Sequence, residues 1–247
     1  MFAEMGIDLK VVDASERFFS NLEGVTDPEA KRKVIGEQFI RVFEEEQVIC
    51  GAKYLVQGTI APDWIESGGG ERDVIKSHHN VGGLPEDVDL IIVEPLREFY
   101  KDEVRQIARE LKIKSSERQP FPGPGLAVRV LGDLTPSRVE SCRIACDIVE
   151  RHFQEAAAAG ICDLPWQYFA ALLPVRSVGV HGDARVHGET VVVRAVTSLD
   201  GMSARYSPIP HDVLTQVSTE ITNTLKGEVN RVVYDITNKP PGTIEWE

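Results

Sequence analysis

The stretch Arg118-Gln119-Pro120-Phe121-Pro122-Gly123-Pro124-Gly125-Leu126 separates two differently patterned halves of this sequence. Its alternating prolines fix φ and remove backbone donors, so neither a helix nor a central strand passes through it. Gly123 and Gly125 allow positive φ and let a ligand approach the backbone closely. Arg118 enters the loop and Arg129 leaves it. The segment therefore reads either as a holder of something anionic or as a stiff interdomain connector with incidental arginines.

Upstream of the loop, strand-like and helix-like segments alternate. Residues 7–12 read as a strand, followed by a short helix containing Arg17, Phe18 and Phe19. Thr26-Asp27-Pro28 joins a capping residue to a first-turn proline. The helix it starts runs towards Gln47, with Val34, Ile35, Phe39, Val42 and Phe43 on one stripe. Residues 54–58 and 90–93 read as short buried-type strands, and residues 101–112 as a helix. Strands spaced by helices predict a parallel sheet with helices packed on it. Downstream the pattern changes to a long helix over 136–159, strands over 175–180 and 190–196, a helix over 212–225 and a strand over 231–236. Lacking regular βαβ alternation, this half reads as α+β. The expected fold class is thus an α/β unit over residues 1–120 followed by an α+β unit over 121–247, with the boundary near the proline loop.

With 247 residues, 42% of them hydrophobic and 27% charged, the chain can bury a real core in one or two domains. A net charge of −12 argues against non-specific nucleic-acid or anionic-membrane binding, so a phosphorylated ligand would need a few placed cations. Residues 1–10 show no basic segment followed by a long apolar one, and no stretch approaches the ~20 apolar residues of a membrane span. Cys50, Cys142, Cys146 and Cys162 show neither a disulfide framework nor zinc-site spacing; Cys142 and Cys146, four apart on a helix, read as a buried thiol pair. A cytoplasmic protein is expected.

Several clusters carry possible chemistry. Asp63 and Glu66 follow the strand ending at Gly58 and share one side of a helical turn. They suit Mg²⁺ or a polyhydroxyl ligand, or are ordinary acids at a helix start. Ser67-Gly68-Gly69-Gly70 lacks the lysine and hydroxyl of a phosphate loop and reads as a surface insertion. Residues 75–85 form a polar loop able to close over a substrate, with Lys76 a candidate for phosphate charge, or a solvated loop. Adjacent His78 and His79 point apart on an extended chain, which argues against a shared metal. Lys101 and Arg105 share a face at a helix start that favours anions, or are merely solvated. Arg231, Lys239, Pro240, Pro241 and Glu245 crowd into the C-terminal tail, which carries more structural punctuation than an end usually does.

In this order the pieces resemble the C-terminal part of GMP synthetase, the glutamine-dependent family that converts xanthosine monophosphate (XMP) to GMP. The matching stretches are residues 26–33, 57–67, 76–85, the proline loop, 173–180 and 232–247. The wording of residues 59–67 is most similar to archaeal forms, in which the glutaminase is often a separate chain. The resemblance implies a truncated adenine-nucleotide alpha-hydrolase-like parallel sheet with a lid at about 67–86, then a dimerisation domain. It implies that ATP adenylates the purine 2-oxygen of XMP and that ammonia displaces AMP, with pyrophosphate and Mg²⁺ involved. By resemblance Asp63, Glu66 and Lys76 belong to the lid and magnesium–pyrophosphate site, with Asp63 and Glu66 on the metal, and Lys101, Asp102 and Arg105 help to close it. Arg17, Arg118, Pro122, Gly123, Pro124, Gly125, Arg231, Lys239, Ile244 and Glu245 look like the XMP pocket. The implied partners are a glutamine amidotransferase as ammonia source and a second copy of the chain, with no nucleic acid and no membrane.

The sequence departs from the family pattern in four places. The family's Ser-Gly-Gly-x-Asp-Ser loop is absent, as is a glutaminase nucleophile. His181 stands where members vary, and Gly201-Met202-Ser203-Ala204-Arg205 replaces a commoner acidic wording. Matching from Ile7 onward, the chain is expected to start after the ATP-holding loop and to be inactive alone; the alternative is a non-catalytic XMP-binding dimerisation module.

Overall fold

Asp27 and Pro28 set the first long helix. In the computed structural model, which describes residues 6, 8–61, 91–113, 118–199 and 201–247, helix α1 (Ser15–Leu22) packs on helix α2 (Pro28–Cys50). The Asp27 side chain accepts from the Ala30 amide at 2.8 Å, and Pro28 sits in the first turn, where a missing donor costs nothing. Gly51 ends α2 in the left-handed region at φ 67°, its N–H on the Gln47 carbonyl. Strand β1 (Tyr54–Val56) pairs in parallel with β2 (Ile91–Val93), and helix α3 (Lys101–Glu110) follows.

The parallel pair and the helices match expectation, but three details do not. Residues 8–12 form no strand, and Ile7 lies outside the described residues. The buried face of α2 runs through Lys31, Ile35, Gln38 and Ile40; of the expected apolar stripe Ile35 is buried and Val34 packs on the core, whereas Phe39 and Phe43 are exposed. Lys31 and Gln38 turn inward because each has a polar partner there, described below, whereas Phe39 meets Phe18 edge-on at 5.1 Å. Finally, Tyr54, Val56 and Ile91 are largely exposed. Two short strands make only one thin layer, and their apolar side chains need a facing layer to be buried.

The main core lies in the second half. Helix α4 (Pro136–Ala158), capped by Thr135 and started by Pro136, packs on strand β3 (Gln167–His181). β3 runs antiparallel to β4 (Ala184–Thr197). On the other side of β4 lie the short antiparallel β5 (Arg205–Tyr206) and the parallel β6 (Val229–Asp235). Helix α5 (His211–Thr224) closes the layer against α4 and β6. Phe153, Phe169, Leu172, Val191, Val192, Val217 and Ile221 are essentially without exposure.

The strand expected over 175–180 begins eight residues earlier, at Gln167. Its first half, from Tyr168 to Leu172, is buried on both faces, so it lacks the alternation that marks a half-exposed strand. The register shifts between Leu173 and Arg176, around Pro174, which has no donor for the ladder. Beyond that shift Val175, Val178 and Val180 are exposed.

This division predicts two contrasting outcomes in urea denaturation. Phe153→Ala is expected to cost about 3–5 kcal/mol by leaving a core cavity. Val178→Thr on the exposed ribbon should change stability by no more than about 0.5 kcal/mol.

Candidate functional site

Between Pro122 and Gly125 the proline loop closes a turn, the Gly125 N–H donating to the Pro122 carbonyl at 2.9 Å. Gly125 takes φ 67°, which a side chain would resist. The chain then makes a single 3₁₀ turn (Gly125–Val128) that delivers Arg129 into the core. Arg129 is fully buried. Its Nη2 and Nε donate to Oε1 and Oε2 of Glu245 at 2.8 and 3.1 Å. Its guanidinium lies 4.1 Å from the Phe169 ring centroid and 5.0 Å from that of Phe121 in the proline loop. Gln167 adds a bond from Nε2 to Glu245 Oε1 at 2.7 Å. Burial disfavours the charged guanidinium, yet the Glu245 hydrogen bonds and charge outweigh it and hold the Arg129 pKa above its ordinary value.

Beneath Arg129 lie Cys142 and Cys146, the expected buried thiol pair. Cys142 donates to the carbonyls of Arg129 and Ala170 and Cys146 to that of Ala170; the neighbouring Cys146 raises the pKa of Cys142, which burial raises further. The neighbouring Cys142 lowers that of Cys146, and the nearby Arg129 charge adds to that lowering.

A second buried arginine shapes the tail. Arg194 donates to the carbonyls of Thr237 at 2.5 Å, Thr243 at 3.1 Å and Asp235 at 3.4 Å, and lies 3.4 Å from the Asp235 carboxylate. Asp235 in turn accepts from the Trp246 indole at 3.2 Å. Lys239 exchanges both backbone hydrogen bonds with Ala204, and its ammonium donates to the Gly201 carbonyl at 2.8 Å. The Lys239–Pro240 and Pro240–Pro241 bonds are cis. A cleft of about 500 Å³ opens here, lined by Thr197, Ser198, Ser203, Arg205, Asn238 and Lys239 among others.

Lys101 at the start of α3 stands 5.8 Å over the ring of Trp166. That ring packs so closely on Gly201 that an added Cβ would lie 3.4 Å from it. A chain of contacts therefore runs from Lys101 through Trp166 and Gly201 to Lys239. Arg105 also ties α3 to the start of the loop, Nη2 donating to the Arg118 carbonyl at 3.4 Å.

The remaining expected site residues are dispersed. Pro122, Gly123, Pro124 and Gly125 form the loop beside Arg129, and Ile244 is buried in the core. Arg17 is engaged by α2, donating to Gln38 at 2.8 Å and Glu45 at 2.7 Å. Arg231 turns towards β3, its Nε donating to Ser177 Oγ at 3.2 Å. Asp63, Glu66, Lys76, the expected lid over 67–86 and the side chain of Asp102 lie outside the described residues. Sequence reasoning misses Lys31, Gln167, Arg194, Arg205 and Glu247 as parts of this region. Lys31 carries no signal in the sequence, since only its distant partners explain a lysine on the inward face of α2. Arg194 interrupts an otherwise apolar strand, which marks a buried, partnered charge.

Comparison with known proteins gives the family. Residues 154–246 match the family described as GMP synthase C terminal domain. A subunit of the GMP synthase (glutamine-hydrolyzing) of Thermoplasma volcanium is 54% identical over 246 residues, covering 100% of this chain and 78% of that relative. The corresponding subunit of Thermococcus kodakarensis is 57% identical, covering 99% of this chain and 77% of the relative. The GMP synthase (glutamine-hydrolyzing) of Caldicellulosiruptor saccharolyticus is 58% identical over 240 residues, covering 96% of this chain and 46% of that longer protein. The chain belongs to the GMP synthase family, a family of ligases.

The pairing of Arg129 with Glu245 predicts a non-additive stability series. Arg129→Met leaves a largely buried carboxylate without its cation and should cost about 3–5 kcal/mol. Adding Glu245→Met should recover most of that loss, because no uncompensated charge then remains. Urea denaturation of both variants checks it.

Proposed function

We propose that this chain forms the acceptor side of GMP synthesis, binding XMP at the cleft between the segment 197–206 and the C-terminal tail, with the proline loop, held to that tail through Arg129 and Glu245, as a neighbouring wall. In the reaction the purine 2-oxygen of XMP attacks the α-phosphorus of ATP, and the bond to pyrophosphate breaks. Ammonia then attacks C2, the C–O bond breaks, and AMP leaves with the oxygen. Such a sequence relies on positioning and charge neutralisation rather than on a protein nucleophile.

The observation that carries this reading is the contact chain from Lys101 to Lys239. It links a cation from the parallel-sheet half, across Trp166 and Gly201, to the one in the tail. Lys239, with Arg205 near it in the cleft, supplies charge for the nucleotide phosphate. Glu245, held by Arg129 and Gln167, shapes the pocket's surroundings. Lys101 and Arg105, joined to Trp166 and to the loop entry, help to close the activating side over the acceptor. In this reading the proline loop is the boundary between a nucleotide-activating unit over 1–120 and an acceptor and dimerisation unit over 121–247.

Among the described residues no group of three or more His, Cys, Asp or Glu side chains is placed to hold a metal. Mg²⁺ is therefore assigned to Asp63 and Glu66 from the resemblance of their wording alone, and no step is derived through it. The archaeal relatives are named as one subunit of a glutamine-hydrolyzing synthase, which supports a separate glutaminase as ammonia source. A homodimer is proposed through the unit that follows the loop. No described helix is long and apolar enough to cross a membrane; the cytoplasmic location is part of the proposal.

Calorimetric titration with XMP tests the reading. The unsubstituted chain is expected to bind XMP, and Lys239→Ala to weaken binding by about tenfold or more, as loss of a charged phosphate contact should. Undiminished binding in Lys239→Ala would move the phosphate elsewhere.

A further inference from the structure

Lys31 is the most conspicuous group outside the pocket proposed above. It lies on α2 in the first half of the chain, and its side chain has no exposure at all. Its ammonium donates to Glu247 Oε2 at 2.5 Å, to the Val130 carbonyl at 2.8 Å and to the Ala127 carbonyl at 3.4 Å. All three donors of the ammonium are thereby used. The other carboxylate oxygen of Glu247 accepts from the Gly132 amide at 3.1 Å. Thus one lysine gathers the end of the proline loop and the end of the chain.

A buried ion pair is a poor source of stability, since an apolar pair of similar volume often does as well or better. What it supplies is a single geometry. An ammonium with three acceptors fixes Glu247 in one place relative to Ala127 and Val130, and an apolar contact would let the tail slide. The second clamp, Arg129 on Glu245, acts on the same tail but from the loop itself. Lys31 reaches it from α2.

We propose that Lys31 is a positioning residue for XMP binding, acting through Glu247. It draws the tail onto the loop and so fixes where Lys239 stands at the cleft. The proposal rests on the reading of the tail as the acceptor pocket. It also gives α2 a role: the pocket takes its binding shape only while α2 is docked against the loop.

The test uses the full chain labelled with 5-fluorotryptophan, so that Trp246, next to Glu247, reports on the tail. Lys31→Met and Glu247→Gln are compared with the unsubstituted chain and with Lys239→Ala, by XMP calorimetry, by the fluorine resonance of Trp246 and by urea denaturation. Glu247→Gln removes the charge while keeping the shape, and it guards against a failure of Lys31→Met to fold. Each single variant is expected to weaken XMP about tenfold and to shift the Trp246 resonance in the same direction. The double variant should be no weaker than the worse single, because both changes break one latch. XMP binding that is lost in Lys239→Ala but unchanged in Glu247→Gln would overturn the proposal while leaving the pocket reading intact. So would a weakening without a Trp246 shift, which marks a general loss of stability. Failure of the unsubstituted chain to bind XMP would overturn both, and binding retained in Lys239→Ala would overturn the pocket reading itself.

Discussion

Arg129 on Glu245 is the contact around which the rest is arranged. A guanidinium without solvent exposure keeps its charge at a large desolvation cost unless a carboxylate offsets it, and the one that does comes from the last residues of the chain. That requirement decides the path of the tail. It also holds Phe121, and with it the proline loop, against the core of the second half. Loop and tail, far apart in sequence, become one wall because neither arginine nor glutamate is tolerable there alone.

The other buried cations repeat the device at neighbouring points. Arg194 gathers the carbonyls of the turn before the tail, and Lys31 gathers its end. Carbonyls and carboxylates that would otherwise be solvated are turned inward, which leaves Lys239 and the residues lining the cleft facing outward. The core beneath is ordinary close packing between α4, α5 and the sheet. It supplies the rigidity that a precisely shaped polar wall requires.

Much of this is legible in the sequence, for identifiable reasons. The helix start at Asp27-Pro28 follows from local capping chemistry, and the long helix starts at Pro136 as expected. The break at the proline loop follows from φ restriction alone. The full length of β3 is not legible, because a stretch buried on both faces carries no alternation. The inward face of α2 escapes a periodicity argument because two polar residues occupy it, and only their distant partners explain that. Of the candidate site, Lys239, Glu245, Lys101 and the loop emerge from motif and resemblance. Lys31, Arg194 and Glu247 do not, since what makes them matter is contact across large sequence separations. Arg17 and Arg231, equally plausible as cations in the sequence, have partners on α2 and β3.

The central claim is that the loop–tail junction receives the acceptor nucleotide. Hydrogen–deuterium exchange of the chain with and without XMP addresses it most directly. The account predicts added protection concentrated in residues 197–206 and 236–247, with a smaller effect across 118–129. Protection confined to the exposed ribbon at residues 175–187, with an unchanged tail, would contradict it.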